Sequence, residues 1–347
     1  MLVDSPPEKR AAIAAAPPTR RATRAVGLLV SLAVLALVAL ASIAIGAKEL
    51  SLAQVWHGLF QDSGTYGDIV VGERLSRTVL GLLVGAALGL SGAVLQALTR
   101  NPLAEPGLLG INAGASAAVV TALTYFGVTS LSGYVWFAFL GAAAVGALVW
   151  FLGGSRSATP VRLALAGTAV SAALYGYLQA VMITDGAALG TMRFWTVGSL
   201  ASATGTTIEQ VLPFLAAGTV LALLLARPLN ALAMGDDTAR ALGADLNRTR
   251  ALAMLAATVL CGAATAACGP IVFVGLMVPH AIRSFTGPDL RWILPYATVL
   301  SPVLLLGADV VGRIVARPAE VQVGVVTAII GGPVFILLVR RRRTTQL

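Results

Sequence analysis

Residues 76–114 read SRTVLGLLVGAALGLSGAVLQALTRNPLAEPGLLGINAG, and this stretch shows the pattern that governs most of the chain. An apolar run comes first, in which Gly81, Gly85 and Gly89 recur at every fourth position. Small residues at that spacing let helix backbones approach closely in lipid. A segment containing two prolines then separates this run from the next. The stretch therefore predicts closely packed transmembrane helices interrupted by non-helical backbone.

Apolar runs of this kind recur along the whole chain. They begin at about residues 26, 76, 108, 134, 161, 209, 249, 271, 291 and 322. Hydrophobic residues make up 57% of the 347 and charged residues only 11%, too few to cover a water-soluble globule. Because about 20 apolar residues cross the hydrocarbon layer, we predict an all-α membrane protein, a bundle of about ten transmembrane helices within residues 26–343. The eighth run is short and is interrupted by Pro270 and Pro279.

The basic residues indicate how this bundle is oriented. With the N-terminus in the cytoplasm and ten alternating helices, 18 of the 24 Lys and Arg residues fall on the cytoplasmic side. This bias follows the positive-inside rule and predicts a multi-pass protein of the cell membrane, inner or plasma, with both termini cytoplasmic. The basic residues lie in short gaps between apolar runs rather than on one polar face, which argues against nucleic-acid binding despite the net charge of +9.

The N-terminal region leaves one alternative open. Residues 1–25 are polar and rich in Pro, Arg and Ala, and they are predicted to be a disordered cytoplasmic tail. The first apolar run, from Val26 to Ala47, follows three arginines and is either a cleaved signal peptide or an uncleaved anchor. It is longer than the 7–15 apolar residues of a typical signal core, which favours the anchor.

Two parts of the chain resemble each other. The segment 75–78, Leu-Ser-Arg-Thr, and the segment 246–249, Leu-Asn-Arg-Thr, each open an apolar run. A proline-interrupted segment follows both runs, and the two copies would start on opposite sides of the membrane. This is the pattern of an inverted repeat, as in many transporters, or a chance similarity between helices rich in Ala and Gly.

Two polar segments stand out between the apolar runs. The first is a motif loop whose marked residues are Asn101, Pro102, Glu105, Pro106 and Gly110. Non-helical backbone near membrane depth is tolerated only where protein or a water-filled cavity satisfies it. The second is the long inner gap at about residues 228–248, in which Gly235 and Gly243 could bracket a short amphipathic helix. Such a helix on the cytoplasmic side predicts a docking element for another protein.

Several kinds of chemistry have no support in the sequence. The only lysines, Lys9 and Lys48, do not stand in a phosphate-binding P-loop, so any use of ATP must come from a partner chain. Cys261 and Cys268 lie on one apolar run and are read as small buried residues. The two histidines lie near no other good ligand, so no metal site is predicted.

Five segments together resemble the permeases of ATP-binding-cassette importers for iron–siderophore complexes, haem and cobalamin. They are the segments 101–110 (NPLAEPGLLG), 193–199 (RFWTVGS), 235–243, 269–280 (GPIVFVGLMVPH) and 324–335. They occur in the expected order over residues 70–340, which makes the resemblance specific.

The resemblance implies a ten-helix fold and a set of partners. A second permease chain, identical or homologous, would pair with this one around a central path. Two ATPase subunits would bind on the cytoplasmic side and would hold the ATP and Mg²⁺. An extracytoplasmic substrate-binding protein would dock on the outside. The chain itself would be a transport subunit rather than an enzyme, with no cofactor of its own.

The resemblance also assigns roles to residues. ATPase coupling falls on Gly235, Asp236, Asp237, Ala239, Leu242 and Gly243. Docking of the binding protein falls on Arg74, Arg77 and Arg313. The translocation path and its gate fall on Ser155, Ser157, Thr159, Arg193 and Trp195. The alternative for the docking arginines is snorkelling to lipid headgroups, and Asp309, one turn from Arg313, could hold that arginine as an internal pair.

The substrate expected on this basis is a ferric siderophore, with haem or cobalamin as alternatives in the same family. A secondary transporter driven by an ion gradient would need an ionisable residue within a span, for which Asp309 is the only strong candidate. A membrane-embedded enzyme is a further alternative, although the sequence shows no paired carboxylates or nucleophile–base set.

Overall fold

A computed structural model describes residues 19–61, 64–153 and 160–343, and all regular structure within these ranges is helical. The helices in chain order are α1 (Thr19–Ala44), α2 (Leu52–Phe60), α3 (Tyr66–Leu98), a 3-10 helix (Pro106–Leu109), α4 (Ile111–Phe126), α5 (Leu131–Leu152), α6 (Pro160–Thr184), α7 (Gly186–Trp195), α8 (Gly205–Leu224), α9 (Ala226–Ala233), α10 (Asp236–Ala241), α11 (Leu246–Cys268), α12 (Val274–Thr286), α13 (Leu290–Val315) and α14 (Val323–Arg343).

Seven of these helices are long and apolar enough to cross a membrane: α1, α3, α5, α6, α8, α11 and α13. Helix α4 and the segment Val323–Leu337 of α14 are shorter apolar helices. These nine helices correspond to nine of the ten predicted runs, which confirms the all-α membrane bundle. The eighth run forms α12, whose 13 residues span only about 20 Å, less than the roughly 30 Å of hydrocarbon.

The start of α1 corrects one predicted boundary. The helix begins at Thr19 rather than at Val26, so residues 19–25 are helical although the sequence placed them in a disordered tail. The remainder of that tail lies outside the described residues. The helix includes basic residues, such as Arg24, that precede its apolar part. Tyr296 of α13 donates a 2.7 Å hydrogen bond to the Arg24 carbonyl.

Helices α3 and α11 form the centre of the bundle. In each, 78% of the spanning window is buried, against 11% in α1 and 17% in α6. The glycines of α3 make close packing possible. A Cβ atom at Gly85 would lie only 2.6 Å from the Cα atom of Pro302 in α13. Any larger residue there would therefore push α3 and α13 apart, which explains the small-residue spacing.

The two similar parts of the chain have the same sequence of elements. Helix α3, the loop 99–110, α4 and α5 correspond to α11, the segment 269–273, α12 and α13. Arg100, just after α3, and Arg250, in the first turns of α11, bind the same carboxylate of Asp236, so α3 and α11 run in opposite directions. Helix α3 packs on α12 and α13, whereas α11 packs on α4 and α5. This exchange of partners is the arrangement of an inverted repeat.

Candidate functional site

The inner gap folds into two short helices at one end of the bundle, which we call the α10 end. Helices α9 and α10 meet at Gly235, whose φ of +114° is a conformation that glycine adopts without steric cost. Ala239 of α10 is fully buried against the bundle, whereas Met234 and Leu242, which flank the helix, are 64% and 63% exposed. The predicted short helix is therefore present, with one face on the bundle and large apolar side chains directed outwards.

Asp236 fastens this pair of helices to the membrane helices. Its carboxylate accepts hydrogen bonds from the guanidinium groups of Arg100 and, at 2.7 Å, Arg250. Arg100 also donates from Nε to the carbonyl of Leu232, at 2.9 Å. Burial works to raise the pKa of Asp236, but the bonds from Arg100 and Arg250 outweigh it and hold that pKa below its ordinary value.

Asp237 behaves differently from its neighbour. Its side chain is fully exposed, and among the described residues it pairs with Arg240 of the same short helix alone, at 3.0 Å. An exposed pair of this kind contributes little to stability. The two acids predicted for coupling therefore divide into an anchor, Asp236, and a surface charge, Asp237.

A second attachment at the α10 end was missed by sequence reasoning. Asn230 of α9 donates to Asp289 at 2.7 Å and accepts from the backbone N–H of Leu290 at 2.9 Å, at the start of α13. The hydrogen bonds from Arg291 are the main cause that lowers the pKa of Asp289 to about 2. The sequence signal for Asp289 was an acid at the N-cap position, directly before the apolar run of α13. No feature of the sequence indicated that Asn230 would be its partner. The segment is thus fixed to α3, α11 and α13.

The motif loop connects the two similar halves. Asn101 closes a turn by accepting from the N–H of Leu103 at 3.0 Å. Pro106 opens the 3-10 helix, and Gly110, at φ +73°, ends it and begins α4. Pro102 lies in the turn itself, where its fixed φ fits.

Glu105 makes the connection. One of its carboxylate oxygens accepts a 2.6 Å hydrogen bond from the backbone N–H of Phe273, the residue before α12. Phe273 has a φ of +71°, which is unfavourable for a bulky side chain. The acid therefore satisfies an otherwise unpaired donor at the start of α12 and helps to hold a strained residue in place.

A cluster of charges lies at the other end of the bundle, which we call the Arg313 end. Asp309 is completely buried and binds Arg77, with Nη2 to Oδ1 at 2.7 Å, and Arg313, with Nε to Oδ2 at 2.9 Å. Arg77 also donates to Glu320 at 2.7 Å. The internal Asp309–Arg313 pair considered from the sequence is confirmed.

The same cluster closes the end of α1. Arg74 donates to the carbonyl of Ala44 at 2.9 Å, and Arg313 donates to the carbonyl and hydroxyl of Ser42 at 2.7 and 2.8 Å. The last carbonyls of a helix have no partner within it. The arginines supply that partner, so their positive charges lie against the negative end of the α1 dipole.

This geometry bears on the docking role expected for Arg74, Arg77 and Arg313, which stays a prediction. All three are buried, with relative exposures of 6%, 9% and 1%. Their guanidinium groups are occupied by Asp309, Glu320 and the end of α1. A partner protein could reach them only if the cluster opened.

Two of the five residues predicted for the path lie within the described structure. Ser155, Ser157 and Thr159 fall outside the described residues. Arg193 and Trp195 lie on α7, and Ser199, just beyond α7, donates its backbone N–H to the Cys268 carbonyl at 2.7 Å. Since Cys268 ends α11 and α10 adjoins its start, these residues lie at the Arg313 end, roughly 35 Å from α10 along the 23 residues of α11.

Cys261 and Cys268 are free and buried, as predicted. No group of three or more His, Cys, Asp or Glu residues able to hold a metal ion occurs among the described residues.

Membrane-length helices in an inverted repeat, with a two-helix segment fastened at one end and a charged cluster at the other, define a multi-pass transport permease. The chain belongs to the FecCD transport family, whose sequence profile matches residues 34–341. This confirms the family resemblance read from the motifs.

Relatives of several kinds are similar to this chain over most of its length. The ferric enterobactin transport system permease protein FepD of Escherichia coli (strain K12) is 46% identical over 92% of this chain and 96% of its own. The hemin transport system permease protein HmuU of Yersinia pestis is 37% identical over 90% and 94%. A solved structure described as an inward-facing conformation of a transporter assigned to the metal-chelate ABC type has a TM-score of 0.80 and 28% identity, covering 90% of this chain and 98% of that one.

Proposed function

We propose that the chain is the membrane-spanning permease subunit of an ATP-binding-cassette importer that moves a ferric siderophore. The observation that carries the proposal is the α9–α10 segment. It is fastened to α3, α11 and α13 by Asp236 and Asn230, and it presents Met234 and Leu242 outwards. Two short helices held rigidly on three membrane helices are suited to passing on a push from a separate motor.

The substrate class rests on the relatives. Identity to the ferric enterobactin permease is 46%, whereas identity to the haemin permease and to the cobalamin permease BtuC of Halobacterium salinarum is 37%. The Fe(3+)-citrate permease YfmD of Bacillus subtilis is 39% identical. A ferric siderophore is therefore favoured over haem and cobalamin.

The proposed partners bind at the two ends of the helix bundle and along its side. Two ATPase subunits, which hold the ATP and Mg²⁺, bind at the α10 end on the cytoplasmic side, where both termini also lie. An identical or homologous permease chain pairs with this one within the lipid, and a binding protein docks at the Arg313 end. Because Arg74, Arg77 and Arg313 are buried, that docking uses the exposed rim, where Arg317 pairs with Glu49 at 2.9 Å.

A secondary transporter is disfavoured by the environment of Asp309. A carboxylate that couples an ion must release and rebind it during each cycle. Asp309 instead lies between Arg77 and Arg313, which bind both of its oxygens. Nothing in this arrangement leaves the carboxylate open to a coupling ion.

The experiment is uptake of a ⁵⁵Fe-labelled ferric siderophore into proteoliposomes that contain this chain with its co-purified partner chains and the binding protein. Uptake should require ATP on the α10 side and persist after ionophores collapse all ion gradients. Uptake driven by an ion gradient without ATP would overturn the proposal. Leu242→Cys reports the orientation, because only a reagent on the cytoplasmic side should label it.

A further inference from the structure

A small cavity of about 310 Å³ opens at the Arg313 end. It lies between α7, the segment 199–202, the end of α11 and Gln322 just before α14. Its polar lining residues are Tyr134, Thr191, Trp195, Ser199, Ser202 and Gln322. Pockets for whole small molecules run from roughly 300 to 1,000 Å³. This cavity therefore suits one arm of a large chelate rather than a whole one.

Two buried polar atoms of this lining have no hydrogen-bond partner within the described structure. They are the indole Nε1–H of Trp195, a donor, and the side-chain carbonyl oxygen of Gln322, an acceptor. Trp195 as a whole is 92% buried, since its relative exposure is 8%. Buried polar groups without partners are rare because each one loses its bond to water. Both groups lying on one cavity indicates a ligand that supplies an acceptor and a donor together.

The surroundings add further donors. The Ser199 hydroxyl accepts from the backbone N–H of Ala201 at 3.1 Å, which leaves its own proton to donate elsewhere. Ser202 is exposed at the opening. These hydroxyls, with the Trp195 N–H, favour an oxygen-rich group over an apolar one.

The opening carries an aromatic ring and a positive charge. Phe194 lines the cavity and is 56% exposed, and the guanidinium carbon of Arg193 lies 4.7 Å from the centre of its ring. A ring held beneath a cation can stack on a flat, electron-rich group and attract negative charge. The opening is thus suited to an anionic aromatic arm.

We infer that this cavity is a binding subsite for one catecholate–amide arm of a ferric chelate, with Trp195 and the serine hydroxyls donating to its oxygens and Gln322 accepting from its amide N–H. The inference rests on the proposed function for its substrate class and adds the place where that substrate is held. Arg193 and Trp195 thereby gain a defined role at the Arg313 end.

Equilibrium binding tests the subsite. The complete transporter in lipid nanodiscs, without nucleotide, is titrated with a ⁵⁵Fe-labelled ferric tris-catecholate. Trp195→Phe and Gln322→Leu should each weaken binding by about tenfold, the loss expected for one hydrogen bond in a buried site. The matched control is Trp150→Phe, because Trp150 lines an apolar cavity of about 300 Å³ between α5 and α11 and should leave affinity unchanged.

Two results would overturn the inference: wild-type affinity in both cavity variants, or an equal loss in Trp150→Phe. If Trp195→Phe fails to fold, judged by size-exclusion chromatography, Gln322→Leu carries the test alone. ATP-driven uptake by the wild type is measured in parallel. Normal uptake with unaffected variants would reject the subsite and leave the proposed function standing.

Thiol labelling during turnover tests the subsite independently of the equilibrium binding measurement, which is made without nucleotide. The chelate should slow labelling of Ser202→Cys at least fivefold during turnover, because an occupied cavity covers that position. Thr206→Cys, exposed on α8 and outside the lining, should label at the same rate with and without chelate. Equal labelling of Ser202→Cys in both conditions would show that the cavity holds only water and would overturn the inference.

Discussion

The two ends of the bundle both hold an aspartate between two arginines, yet they differ in burial. Asp309 and Arg313 have side-chain exposures of 0% and 1%, whereas Asp236 and Arg100 have 32% and 37%. Breaking a buried pair strands a charge, while a partly exposed pair can exchange its bonds for water. The ion pairs of the Arg313 end are therefore costly to break, whereas those of the α10 end can be exchanged at lower cost.

The largest expected effect comes from removing the buried acid. Asp309→Asn would leave the buried Arg313 without a counter-charge and Arg77 with Glu320 alone among the described residues, at a cost of about 3–5 kcal/mol. We expect a large fall in Tm and in the yield of folded chain in detergent, measured by differential scanning fluorimetry and size-exclusion chromatography. Asp237→Asn is the matched control at the exposed surface and should change Tm little. Equal Tm values for the two variants would remove the contrast between the ends.

The second effect separates the two neighbouring acids at the α10 end. Asp236→Lys places a cation between Arg100 and Arg250 and should detach α10, whereas Asp237→Lys only alters a surface charge. We expect uptake per ATP hydrolysed to fall at least tenfold in the first variant and less than twofold in the second. Equal losses would instead place a direct ATPase contact on Asp237.

The third effect concerns the link between the repeats. Glu105→Ala removes the acceptor for the Phe273 N–H and should cost about 1 kcal/mol, as for the loss of a helix cap. Glu105→Gln keeps an acceptor oxygen and should recover most of that loss. Chemical unfolding of the two variants in detergent, compared with the wild type, measures the difference. A Glu105→Ala variant as stable as the wild type would show that the bond is unimportant.

The smallest effect is a pH dependence at the α10 end. The pKa of Asp289 is lowered to about 2, so its ionised form is favoured by folding. Its contribution is present above the unfolded pKa of about 4 and is lost as the pH falls from there to about 2. Asp289→Asn should flatten the dependence of Tm on pH in that window. An unchanged slope in the variant would contradict this assignment.

The sequence was sufficient for the bundle because lipid imposes long apolar runs that can be read one at a time. It also located the short helix between Gly235 and Gly243, since polar residues at helical spacing remain visible between spans. It could not sort Asp236 from Asp237, because adjacent acids on one short helix differ only in what lies beneath them. The difference depends on Arg100, which binds Asp236 from 136 positions away in the chain.

The burial of the arginines predicted for docking could not be read from the sequence for the same reason. The Asp309–Arg313 pair can be predicted from the sequence, because the two residues are four positions apart in one helix. Arg77 and Asp309 are 232 positions apart, so the sequence gives no sign of the bond between them. The acceptors at the end of α1 are backbone carbonyls, which carry no sequence signal at all. Arginines near a helix end therefore look alike whether they face a partner or the interior.

The attachment of α1 bears on how the protein matures. A leader peptidase cutting after Ala47 would carry away the carbonyls and the hydroxyl that Arg74 and Arg313 bind. Among the described residues, Arg313 would then keep only Asp309 as a partner, and Arg74 would lose its bonds to the carbonyls of Ile43 and Ala44. We therefore expect the membrane-inserted chain to keep its first helix as a permanent wall of the transporter, and intact-mass spectrometry of the purified protein would show it.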